Sequence, residues 1–177
     1  MSSNASPIQT LRLICLAIAS TNLVYFGVLF AIKRPDGMEN PMLLPALGFA
    51  ALSVAGASIV IPNLLWKNAL KAQRIESKEQ EDPDSPSGFR KTVRVAVDPG
   101  AALSKIRAGY ATKTILGCAL GESVGLFGFV LGMLGLAPVM TLPFFIVSLG
   151  LILNHYPSEG KMVQTAETAL GIRIPSS

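Results

Sequence analysis

Residues 113–156, KTILGCALGESVGLFGFVLGMLGLAPVMTLPFFIVSLGLILNHY, decide the fold. After Lys113 this stretch carries one formal charge, Glu122. Its two apolar runs, 113–135 and 139–156, are separated only by the link Gly135-Leu136-Ala137-Pro138. Twenty helical residues rise about 30 Å, the thickness of a bilayer's hydrocarbon core. A backbone in hydrocarbon must satisfy its own polar groups, so each run is read as a helix. So short a link leaves a helical hairpin as the only connection. A transmembrane β-barrel needs short alternating segments, and none occur.

The rest of the chain agrees. No charge falls between Arg12 and Lys33 or between Glu39 and Lys67. Both gaps exceed the roughly 18 uncharged apolar residues that mark a bilayer span. Half of the 177 residues are hydrophobic and 15% are charged, with mean hydropathy +0.49. An ordinary globular chain has about 25% charged residues. Together these exclude a disordered chain, a collagen-like fibre and a typical water-soluble enzyme. The spans predicted are 13–32, 43–65, 113–135 and 139–156, an all-α integral membrane four-helix bundle of two transmembrane hairpins. Residues 1–66 form the first hairpin, 67–112 a basic and acidic loop with a flexible centre, and 113–177 the second hairpin and a C-terminal tail.

Ten of the fifteen Lys and Arg lie in residues 67–113. The positive-inside tendency makes this loop cytoplasmic, with both termini cytoplasmic and the protein in an inner or plasma membrane. Lys33-Arg34 on the outer side counts against this, and Asp36 and Glu39 beside them carry little weight in the rule. The net charge of +4 asks for no nucleic acid, because basic residues flanking spans meet anionic headgroups of the lipid bilayer. The first apolar run is longer than a signal-peptide core and has only Arg12 before it as a basic side chain, which favours a retained span. Cys15 and Cys118 both fall inside spans, where they read as small packing residues rather than as a disulfide or metal pair.

Within the loop, residues 76–88, ESKEQEDPDSPSG, are polar and broken by Pro83, Pro86 and Gly88, which predicts a flexible linker. Residues 66–75 should continue the second helix, with Trp66 at the interface. Val93, Val95 and Val97 alternate with Thr92, Arg94 and Ala96 as in a short strand. Asp98-Pro99 is a helix start, with Asp98 as the cap, and 101–111 then leads directly into the third span. Lys105 and Arg107 would lie at the cytoplasmic surface, with Tyr110 at the headgroup boundary. Otherwise the loop reads as a solvated connector.

The hairpins invite comparison with each other. Residues 16–29, LAIASTNLVYFGVL, set against 117–130, GCALGESVGLFGFV, place Phe26-Gly27 on Phe127-Gly128 and Thr21 on Glu122 at a shift of 101. Each hairpin also ends in an apolar run closed by proline, Ile61-Pro62 and Tyr156-Pro157. A duplication of this kind would be parallel, unlike the inverted repeats of many secondary transporters.

Glu122 is the one residue positioned for chemistry. It sits about eight residues into the third span, roughly 12 Å deep at 1.5 Å per residue. An ionised carboxylate there costs at least about 2.5–3.5 kcal/mol, so an intramembrane acid is a functional candidate by default. Desolvation favours the neutral carboxyl, which can load and release a proton. Alternatively the carboxylate, with hydroxyls and carbonyls around it, can bind sodium. Gly117, Gly121 and Gly125 are spaced by four, as are Gly128 and Gly132, and make a small-residue stripe that lets another helix approach. Ser123, and Thr21 and Asn22 of the first span, could supply hydrogen bonds, or serve as interhelical glue. His155-Tyr156 closes the last span and reads as an interfacial anchor.

The stretch 118–131, CALGESVGLFGFVL, resembles the ion-carrying helix of the proteolipid c subunits of rotary ATP synthases and vacuolar-type ATPases. In that family a membrane carboxylate in a context close to A-x-x-E-(small)-x-x-(aliphatic)-x-G-x-V binds the transported proton or sodium ion. Glu122 occupies the carboxylate position, and Ala119, Ser123 and Gly128 fit around it. Vacuolar-type members duplicate the hairpin, and one copy can lose its carboxylate, as Thr21 opposite Glu122 echoes. The chain is also similar to bacterial four-span proteins that carry a c-subunit-like helix behind a basic K-x-R-x-x-Y lead-in, here Lys105, Arg107 and Tyr110. It departs from the c subunit in having only Gly27 in its first span, a long central loop and hairpin turns on the outer side. The resemblance therefore implies a divergent relative rather than a rotor-ring subunit.

One histidine and no Cys/His cluster argue against a multi-His metal site, and no GxxxxGK[ST] or Gly-rich nucleotide fingerprint is present. No cofactor and no enzymatic activity are expected. The sequence is read as a membrane protein whose Glu122 binds, and could translocate, H⁺ or less readily Na⁺, alone or in a homo-oligomer or larger membrane complex. The alternative is a non-transporting structural or assembly protein in which Glu122 is a neutral helix-packing residue.

Overall fold

The computed structural model describes residues 7–32, 42–73, 75–81 and 92–174. In chain order the elements are α1 (Pro7–Ala31), α2 (Leu43–Ala72), β1 (Ser77–Glu81), β2 (Thr92–Ala96), α3 (Pro99–Met133), α4 (Pro138–Asn154) and α5 (Glu159–Leu170). The protein is thus mostly helical. Helices α1, α2 and α3 are long and apolar enough to cross a membrane, and a fourth crossing is reached only if α4 is counted together with α5. At about 1.5 Å per residue, the 17 residues of α4 rise roughly 25 Å, short of a hydrocarbon core. Lys33-Arg34, Asp36 and Glu39 lie outside the described residues, as does the link between the first two expected spans.

The chain divides into two compact units, 1–63 with 113–157, and 64–112 with 158–177. In the first unit α3 is the central helix. Of the most apolar window of each helix, 44% is buried in α3, against 17% in α1 and 11% in α2. Cys15, Cys118 and Ile152 pack in one cluster, and Ala51, Val124 and Leu151 in another. Outward lie Leu13, Leu16, Leu23, Phe30, Phe49, Leu52, Val139 and Leu153, all exposed. So much contiguous apolar surface is foreign to a protein bathed in water and normal for one solvated by lipid. The turn after α3 is made by Gly135 at φ 97°, a conformation that a side chain disfavours, and α4 begins at Pro138, which needs no N–H in a first turn.

The second unit corrects the reading of the central loop. Ser77–Glu81, expected in a flexible linker, is a strand paired antiparallel with β2, setting Glu79 against Arg94 and Lys78 against Val95. Residues 82–88 of that linker lie outside the described residues. After α5, which ends at Gly171 with φ 64°, the chain returns to β2: Arg173 N–H donates to the Arg94 carbonyl at 2.7 Å, and Ala96 N–H to the Arg173 carbonyl at 3.2 Å. Asp98 caps α3 as expected, its Oδ1 accepting the Ala101 N–H at 2.9 Å. Trp66 and Tyr110, expected at the membrane interface, are buried instead, their rings edge-to-face at 5.3 Å. Gly109 makes room for this: a Cβ there would stand 3.3 Å from Trp66 Cδ1. Leu70, Ile106, Met162, Ala166, Ile172 and Ile174 of this unit are buried as well.

Candidate functional site

The glycine stripe of α3 meets neighbouring helices residue by residue. A Cβ on Gly117 would fall 2.5–2.7 Å from the His155 ring, one on Gly121 3.1 Å from Leu151, and one on Gly128 2.6 Å from Phe144. The contacts descend along α4 as they ascend along α3, so the two helices run antiparallel. Gly132 faces Leu29, whose methyls would lie 2.7 Å from an added Cβ. Gly125 is wedged between helices, facing both Asn22 of α1 and Ser148 of α4. Absent side chains on α3 thus set how closely α1 and α4 approach it.

Contacts between α1 and α3 ascend together. Cys15 meets Cys118, with Sγ atoms 3.1 Å apart and both thiols free. Thr21 meets Glu122, Tyr25 stacks at 5.2 Å on Phe129, and Leu29 faces Gly132. These two helices therefore run parallel, and residues aligned at a shift of 101 sit opposite each other at Thr21 and Glu122.

Thr21 Oγ1 lies 2.5 Å from Glu122 Oε1 and 2.6 Å from the Ile18 carbonyl oxygen. A threonine hydroxyl has one proton. If it donates to Ile18, the contact with Glu122 holds a proton only when the carboxyl is protonated and donates to Thr21. If it donates to an ionised Glu122, the Ile18 contact is left without one. The geometry accommodates either state of the carboxyl: protonated and donating to Thr21, or ionised and accepting from it. Glu122 itself is half-buried, and Thr21 is its hydrogen-bond partner among the described residues.

The other expected ligands point elsewhere. Ser123 Oγ donates to the Ala119 carbonyl of its own helix at 3.0 Å. Asn22 is buried, and its Oδ1 accepts from Ser148 Oγ at 3.1 Å while Nδ2 has no partner. Asn22 and Ser148 make a second polar contact, next to the first along α1 but separate from it.

His155 departs most from its expected place. Rather than anchoring at the interface it is buried over Gly117, hydrogen-bonded to the Ser58 backbone, with Nε2 unpartnered. Pro62 explains the opening for it. Expected to close the second span, this residue lies inside α2, where its missing N–H frees the carbonyl four residues earlier, that of Ser58. Tyr156 does stay partly exposed, with the Arg12 guanidinium 5.8 Å above its ring. Arg12 Nε also donates to the Pro157 carbonyl at 3.4 Å.

Sequence reasoning missed Ser148 and the burial of His155. The signal was the seven-residue spacing of Thr141, Ser148 and His155, all buried on the face of α4 that meets the glycine stripe. Among the described residues no group of three His, Cys, Asp or Glu side chains could hold a metal ion. Comparison of the chain with family profiles, with curated proteins and with solved structures found no match.

Proposed function

We propose that this is an integral membrane protein, a divergent c-subunit-like chain of two transmembrane hairpins, that takes up and releases a proton at Glu122. The observation that carries the reading is the short Thr21–Glu122 contact across two parallel, apolar helices, which places a carboxyl beside a hydroxyl within the apolar segment. The proton is favoured over sodium because Ser123 and Asn22 bond elsewhere, which leaves Thr21 Oγ1 as the carboxylate's hydrogen-bond partner among the described residues. Sodium would need a shell of several oxygens. Glu122 is half-buried, so it can exchange protons with a partner subunit or a membrane complex across an open side. The basic 67–113 segment and both termini would lie on the cytoplasmic side.

Carbodiimides modify protonated carboxyls in apolar surroundings, and this tests the proposal. In reconstituted protein, selective modification of Glu122 that slows as pH rises, with proton flux lost in Glu122→Gln, supports proton binding and transfer. Normal assembly and unchanged activity in Glu122→Gln would instead make Glu122 a neutral helix-packing residue of a structural or assembly protein.

A further inference from the structure

Cys15 and Cys118 need a fuller explanation than packing. Their sulfurs are 3.1 Å apart, within hydrogen-bond distance of each other, and the residues are 1% and 0% exposed. A disulfide has an S–S bond of about 2.05 Å, so the sulfurs need to approach by only about 1 Å. They stand on adjacent parallel helices, packed with Ile152 and flanked by Ile18 and Ala19. An oxidant reaches so enclosed a pair only when the apolar packing around it opens locally. The flank of α1 beside it, at Leu13 and Leu16, is an exposed apolar surface that lipid would cover.

We infer that Cys15 and Cys118 are a redox-active dithiol, converted to an intramolecular disulfide by a lipid-soluble two-electron oxidant of the quinone class. Two S–H bonds break and one S–S bond forms. The two electrons and two protons released reduce the quinone to the quinol. The bond joins α1 to α3 in the register they already hold, one to two turns before Thr21 and Glu122 on the same helices. Tying the helices there would fix the carboxylate's contact with Thr21. That consequence rests on the proton site proposed above, whereas the disulfide itself does not.

The test uses the full chain in proteoliposomes, fully reduced and then incubated with decylubiquinone, with oxidised glutathione or with buffer. Each sample is denatured in detergent containing a polymer-linked maleimide, which adds one tag per free thiol. The expected result is no tag after the quinone, both tags after glutathione or buffer, and recovery of both tags with dithiothreitol. Intact mass should fall by two hydrogens. Cys15→Ser and Cys118→Ser should each keep their single tag under every condition, and Glu122→Gln should oxidise like the natural sequence. Retention of both tags after the quinone, equal oxidation by glutathione, tag loss in the single-cysteine variants or a disulfide-linked dimer would each overturn the inference.

Discussion

Replacing Gly125 by Ala tests the close approach on which the site depends. In an open helix this change is favourable by about 0.8–1 kcal/mol, because Ala is the better helix former. At Gly125 the new methyl collides with Asn22 Oδ1 and would stand 3.1 Å from both Asn22 Cγ and Ser148 Oγ. Neither neighbour is the free end of a flexible chain, because Asn22 and Ser148 are buried and bonded to each other. Overpacking of this kind costs about 1–3 kcal/mol. The displaced Asn22–Ser148 hydrogen bond adds about 0.5–1.5 kcal/mol. Set against the helix gain, the net loss is about 0.5–4 kcal/mol. Gly150 is the internal control, since a Cβ there meets nothing within 4 Å, so Gly150→Ala should be neutral or slightly stabilising. The assay is equilibrium unfolding in mixed micelles of mild and denaturing detergent, followed by circular dichroism. Equal stability of Gly125→Ala and Gly150→Ala would refute the packing of α3 against α1 and α4.

Other expectations follow from single contacts. Thr21→Val, nearly the same shape without the hydroxyl, should lose about 0.5–1.5 kcal/mol in the same assay, and Thr21→Ser should recover most of it. Asp98→Ala removes the cap of α3 and should cost about 0.5–2 kcal/mol, with Asp98→Asn close to the natural sequence. Arg107 and Glu159 form an ion pair at 3.0 Å whose side chains are 38% and 59% exposed, so Glu159→Gln should change stability by less than about 1 kcal/mol.

The sequence revealed what depends on local chemistry and on long uncharged runs. Three long apolar helices, the Asp98 cap and the tight turn at Gly135 were legible, because each is written in consecutive or helically spaced residues. The position of Glu122 was legible because a charge is conspicuous in an apolar run. Its pairing with Thr21 followed from the alignment of the two hairpins, not from any physical rule. What escaped was set by partners far along the chain. Ser77–Glu81 is polar on both faces and gave no strand pattern; it is ordered by pairing with β2. Trp66 and Tyr110 have the amphipathic rings of interfacial anchors, and only the other's position in space makes each a core residue. The burial of His155 depends on an absent Cβ at Gly117 and an absent N–H at Pro62, and missing atoms are hard to weigh one sequence position at a time.

Infrared difference spectroscopy of the reconstituted protein tests the central claim most directly, because it detects the C=O stretch of a protonated carboxyl. The account predicts a carboxylic acid band that disappears on raising the pH, is missing in Glu122→Gln, and shifts in Thr21→Val as its hydrogen bond is lost. A carboxylic acid band that is unchanged in both Glu122→Gln and Thr21→Val would contradict the account.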